Sequence, residues 1–157
     1  MIRFNEKVHV VGGIAPLDIT TTTTYSDVVN AGKAHWIQFL LSFGAITGDT
    51  VVVTVEECTS AAAAGNTAAA FSYRLTSAVG TDSLGAVTAA TTSGVTITAS
   101  DDNKVLIVDV DPATLTNGYP YVRLAVDPGG SASACVVSCV ILAEPRYAGS
   151  TPVSIVT

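Results

Sequence analysis

The residues of this sequence that could carry chemistry are few and far apart. Asp109-Val110-Asp111 and Asp127 offer carboxylates of the kind a calcium ion takes. Pro112 and Ala113 stand where an EF-hand loop needs further oxygen ligands and its turn glycine. Asp111 therefore reads as a helix cap and Asp127 as a turn residue. Glu56 and Glu57 are neighbours on a segment that reads as a strand, so they point to opposite faces and cannot share acid and base roles. Both are expected to be solvated strand-end charges.

Nucleophilic catalysis needs a Ser or Cys beside a histidine that a carboxylate orients. The chain has two histidines, His9 near the N-terminus and His35 leading into an apolar run, and no G-x-S-x-G. Gly12-Gly13 precede no G-K-[ST], and G-x-G-x-x-G is absent. Cys135 and Cys139 lie four residues apart in a strand-like run, about 13 Å at 3.3 Å per residue. A disulfide needs Cα atoms closer than about 7 Å, so these two cannot bridge each other. With Cys58 they make an odd count and no C-x-x-C, which suggests reduced, buried thiols and no zinc site. Trp36 and Tyr119/Tyr121 could stack on sugars, but aromatics are only 6% of the chain and a core role fits them better. The sequence therefore assigns no catalytic residue, no cofactor-binding residue and no metal ligand.

The elements that must position these residues are β-strands. Val supplies 22 residues, Ala 22 and Thr 21, while Lys supplies 3 and Glu 4. Lys and Glu furnish exposed helices, whereas Val and Thr suit a pleated sheet. Ala34 to Phe43 sets Ile37, Phe39, Leu41 and Phe43 on one face, with His35 preceding them there, and Trp36, Gln38, Leu40 and Ser42 on the other. Both faces are largely apolar, which predicts a central strand covered on both sides. Gly44 to Asp49 reads as a turn. Thr50 to Glu57 alternates with Val51, Val53 and Val55 inward, and is expected to pair antiparallel with the preceding strand.

Lys7 to Val11, the threonine run Thr20 to Thr24, Ala68 to Leu75, Tyr119 to Val126 and Ala134 to Leu142 read as further strands. Ala69, Phe71, Tyr73 and Leu75 share one face. Ala61 to Ala64 is too short to nucleate a helix and reads as loop. Val79 to Ser93 holds one short strand. Gly94 to Ala99 and Lys104 to Val110 read as a hairpin around Ser100-Asp101-Asp102-Asn103. One helical turn is expected after Asp111-Pro112. About eight strands with turn signals between them predict an all-β fold, a jelly-roll-like antiparallel β-sandwich. Residues 1–157 form one domain, with 1–6 and 148–157 as extended, non-helical arms.

The charge balance excludes several functions. Seven basic residues stand against thirteen acidic ones, a net charge of −6, and only 13% of the chain is charged. Such a chain lacks the basic face that nucleic acid requires. No run approaches the roughly 20 apolar residues of a membrane-spanning helix, and the N-terminus does not read as a classical signal peptide. The expected partners exclude nucleic acid and membrane, and the chain is expected to be made in a cytoplasm.

The segment from Ala34 to Asp49, then Val53-Thr54-Val55-Glu56-Glu57-Cys58, Ala69-Ala70-Phe71-Ser72-Tyr73-Arg74, and Val108 to Asp111 through Asn117-Gly118-Tyr119, resembles small structural proteins encoded beside capsid genes in tailed bacteriophages. The resemblance spans about Val28 to Tyr147. It implies a capsid decoration (cement) protein on a jelly-roll-like sandwich, with no enzymatic activity. Its partners would be the major capsid protein and further copies of itself, as a dimer or trimer, and its location the capsid surface of a virion. A phage neck or tail component and a carbohydrate-binding adhesion module are the alternatives, and a hydrolase built on His35 a third. A chain this poor in charge is suited to having much of its surface covered by neighbours.

Overall fold

The computed structural model describes residues 4–48, 50–129 and 134–146. Its strands are β1 (His9–Asp18), β2 (Thr24–Tyr25), β3 (Val29–Asn30), β4 (Ala34–Thr47), β5 (Val51–Cys58), β6 (Thr67–Ala69), β7 (Phe71–Leu75), β8 (Thr88–Ala90), β9 (Val95–Ile97), β10 (Val105–Val110), β11 (Tyr121–Asp127) and β12 (Ala134–Pro145). One sheet, here sheet A, has the order β1-β12-β4-β10-β7-β8. Sheet B runs β2-β11-β5-β6, with β3 also on β11 and β9 also on β5. Every pairing between these strands is antiparallel. The all-β sandwich expected from the sequence is thus the fold, with the expected strand Ala68 to Leu75 divided in two and β3 added.

The alternating apolar positions make the core. Ile37, Phe39, Leu41 and Phe43 of β4 meet Val51, Val53 and Val55 of β5 and Val122, Leu124 and Val126 of β11, all buried in one cluster. Fully burying side chains of this size contributes roughly 1.5–3 kcal/mol each. The two sheets pack through these inner faces, so each strand contributes every second residue.

Two expected pairings are wrong for one reason. β4 and β5 do not form a hairpin: β4 lies between β10 and β12 in sheet A, and β5 belongs to sheet B. Likewise β9 pairs with β5 while β10 pairs with β4 and β7, so residues 94–110 form no hairpin. Alternation fixes which side chains face inward. It is silent on whether a strand pairs with its predecessor or joins the opposite sheet. In both cases here the second strand belongs to the other sheet of the sandwich, and the β9–β10 connection arches between the two.

This arch is built by identifiable contacts. Ala99–Asp101 is a 3-10 turn in which the Asp101 carboxylate accepts the Thr98 backbone N–H at 3.1 Å. Asn103 then takes a φ of 57°. Just before β9, Gly94 has a φ of +80°, and a Cβ there would sit 2.4 Å from the Val53 carbonyl oxygen, so glycine is required.

Other departures are local. Residues 44–47 continue β4 rather than turning, because Ile46 and Thr47 pair with Cys135 and Ala134, and the Ile46 N–H donates to Asp102 Oδ1 at 2.7 Å. Of the threonine run only Thr24 enters a strand. The run 68–75 is interrupted at Ala70 and changes sheets there, while Ala69, Phe71, Tyr73 and Leu75 all still meet the core. Phe4–Lys7 forms a single α-helical turn, correcting the non-helical arm expected over 1–6 for its described part. Residues 1–3 and 148–157 of the expected arms lie outside the described residues. The helical turn after Asp111 is present as the 3-10 turn Pro112–Thr114, with the Ala113 N–H donating to Asp111 Oδ1 at 2.9 Å.

Candidate functional site

The outer face of sheet A is where the fold leaves apolar side chains without a covering layer. The strand pleat puts every second residue of β4, β10 and β12 outward. Register then sets Val140, Leu40 and Ile107 side by side, with Arg74 next to Ile107. The neighbouring row reads Val10, Leu142, Gln38, Asp109 and Ser72. Val10 is 57% exposed, Val136 43% and Val140 41%, while Leu40, Ile107 and Leu142 are half-buried. The expectation that β4 is covered on both sides is therefore corrected: it is central in its sheet, with one face in the core and one open.

A groove crosses one end of this face. His35, Trp36, Gln38, Asp109 and Asp111 line its first part. Asp109 and Asp111 also line an adjoining hollow with Ala70, Ser72, Ala89 and Thr114. Trp36 Nε1 donates to Glu144 Oε2 at 2.5 Å, and Gln38 Nε2 donates to Asp109 Oδ1 at 2.6 Å. These contacts fix the Trp36 ring and the Asp109 carboxylate along the groove. His35 is exposed at its margin, although it was expected to share the buried face of Ile37.

The remaining candidates take structural positions. Asp127 accepts the Gly129 N–H at 3.1 Å, a turn contact on sheet B, away from the Asp109–Asp111 pair on sheet A. Among the described residues no three His, Cys, Asp or Glu side chains gather as a metal site. Glu56 and Glu57 are not the free strand-end charges expected. Glu56 Oε2 lies 2.7 Å from Arg123 Nη2, and the same guanidinium sits 3.8 Å from the Tyr25 ring centroid. Glu57 is 4% exposed and accepts the Thr116 N–H at 2.8 Å. Inward alternation from Val51 through Val55 continues to position 57, and that pattern was the available signal for its burial.

Trp36 and Tyr119 do not form one stacking platform, since Tyr119 lines a different hollow with Pro112 and Arg146. The three cysteines are free and buried. Burial pushes the Cys139 thiol up to about 12. Burial, reinforced by the Asp18 and Asp102 charges, pushes Cys135 up to about 11. Burial also raises Cys58, opposed by Arg123 and assisted by Glu56 and Glu57. Nucleophilic or metal-binding thiols are instead exposed and lowered toward neutrality.

The contacts that organise the groove join residues remote in sequence: 108 positions separate Trp36 from Glu144 and 71 separate Gln38 from Asp109. Nothing local marks such pairs. Among the described residues, no helix is long and apolar enough to cross a membrane. No family model matches the chain, and no curated protein or solved structure matches it.

Proposed function

We propose that this protein is a structural virion component that acts by binding protein: a decoration (cement) protein on the outer surface of a tailed-phage head. It would work as a homo-oligomer, contacting neighbouring major capsid protein subunits across their junctions. The observation that supports this reading most is the outer face of sheet A, where Val10 and Val140 stand exposed in the two adjoining rows that hold Leu40, Ile107 and Leu142. Contiguous exposed apolar surface of this kind marks interaction sites, and permanent interfaces are depleted in charge at their centres. Charged groups here stay at the margins: Asp109 and Glu144 toward one end, Arg74 at one side.

The role is mechanical. A protein that binds the assembled shell better than its separated subunits stabilises the assembly by mass action, in proportion to its differential affinity. A rigid sandwich suits this task, because little ordering entropy is lost when a preformed sheet face docks.

The test is co-sedimentation of the purified protein with heads assembled from the shell protein encoded alongside it. The expected result is saturable binding at a fixed ratio to shell subunits, and slower head disruption on heating. Heads that bring down no protein at saturating concentration would overturn the reading.

A further inference from the structure

The outer face of sheet B already shows how this protein joins an aromatic ring to a carboxylate. Arg123 lies over the Tyr25 ring at 3.8 Å from its centroid and pairs with Glu56 at 2.7 Å. The groove on sheet A brings together the same two partners, an indole and carboxylates. Trp36, Asp109 and Asp111 line it together. Among the described residues neither aspartate has a cation within ion-pair distance.

The hydrogen-bonding inventory narrows the ligand class. The Trp36 N–H is spent on Glu144, one Gln38 N–H on Asp109, and the Thr114 hydroxyl donates to the Asp111 carbonyl. Asp109 accepts one hydrogen bond from Gln38 and Asp111 one from the Ala113 N–H, so each carboxylate keeps acceptor capacity and its charge. His35 and Ser72 add polar groups to the same lining, and the two carboxylates set its sign. A guanidinium only donates, forks onto a carboxylate and stacks on an aromatic face.

We infer that the Trp36–Asp109–Asp111 groove is a docking site for an arginine side chain of a partner protein. This rests on the protein-binding reading above and deepens it. The arginine anchors one end of a contact whose remainder is the apolar sheet face. Arginine and tryptophan are among the residues that dominate binding energy at such interfaces, and a charge pair enclosed there also fixes register.

Trp36 is the single tryptophan of the chain, so its emission reports the groove directly. The full-length protein is titrated with acetyl-Gly-Arg-Gly-amide, its citrulline counterpart and cellobiose. The expected result is a saturable change in Trp36 emission with the arginine peptide, on the order of millimolar for so small a probe. The citrulline peptide should bind at least tenfold more weakly, and added salt should weaken the arginine response. Asp109→Asn with Asp111→Asn keeps the Gln38 and Ala113 contacts available and should lose at least tenfold in affinity. If the pair unfolds the chain, Asp111→Asn alone is read, since asparagine caps a helical turn as well as aspartate does. Equal response to arginine and citrulline, unchanged affinity in the folded variant, response to cellobiose alone, or no response to any probe would each overturn the assignment. A flat titration with capsid co-sedimentation intact overturns the groove alone. Peptide binding without co-sedimentation overturns the decoration reading alone.

Discussion

The Glu57 carboxylate, 4% exposed, accepts the backbone N–H of Thr116 at 2.8 Å and so ties β5 to the loop before β11. A buried carboxylate takes its donor from an exposed residue 59 positions away in sequence. A hydrogen bond to a charged group contributes about 1.5–3 kcal/mol. Glu57→Ala should therefore lower the urea midpoint by that amount of stability. Glu57→Gln retains an acceptor oxygen and should cost less. Equal midpoints for wild type and Glu57→Ala would show that the contact adds nothing.

The raised thiols predict an alkaline limit to stability. A cysteine whose folded value lies above its unfolded one contributes fully below the unfolded value, near 9.0, and loses that contribution as pH rises toward the folded value. With Cys135 at about 11 and Cys139 at about 12, the stability drop should begin above about pH 9 and continue through that range. Cys139→Ala removes one such group and should flatten the slope of denaturation midpoint against pH. At pH 8 the native protein should react with a thiol reagent only at the rate at which it opens, whereas urea-unfolded protein should react at once.

At the acid end, the relevant group is Asp101. Burial by itself would raise its carboxyl, but hydrogen bonds from Lys104 and Thr98 outweigh that and hold it below 3.8. A depressed carboxylate contributes fully above its unfolded value and is lost as pH falls through the folded one. Asp101→Ala should cost about 0.5–2 kcal/mol at pH 7, as loss of a helix-end contact does. The deficit should shrink as pH falls below the unfolded value of 3.8 and through the lower folded one, where the wild-type carboxylate becomes protonated. Midpoints measured at pH 7 and across the acid range check this.

How far the sequence could be read depended on the range of the interaction. Val51-Val52-Val53-Thr54-Val55 alternates, and its inward set is the buried set, because the pleat is a property of one strand. Asp111-Pro112 marked a capped turn because cap and turn lie within four residues. Partner choice was illegible. Thr98 to Lys104 has the composition of a hairpin turn, yet a 3-10 turn closed by Asp101 sends the chain to the other sheet. Glu56 looked solvated because its counterion, Arg123, lies 67 positions away. The groove was invisible for the same reason. Trp36 and Asp109 were each singled out and Gln38 was placed on the face opposite Ile37, but only the β4–β10 register, with Gln38 opposite Asp109, makes them one surface.

The exposed face of sheet A yields the most direct test of what the surface is for. Val140 sits in the row with Leu40 and Ile107, 41% exposed and outside the core cluster. Val140→Asp leaves the core cluster unchanged. Surface substitutions of this kind usually stay within about 0.5 kcal/mol, and the weaker strand preference of aspartate keeps the total under about 1.5 kcal/mol. The circular dichroism spectrum and the cooperativity of unfolding should therefore be retained. In a docked interface the same carboxylate would be desolvated among Leu40, Ile107 and their partner surface without a counterion. Such a charge costs several kcal/mol, enough to weaken association by a hundredfold or more at about 1.4 kcal/mol per factor of ten. Val140→Ile, which enlarges the apolar contact, should preserve binding. A folded Val140→Asp variant that self-associates and co-sediments with heads as the wild type does would remove this face from the interface and require the contact to lie elsewhere on the sandwich.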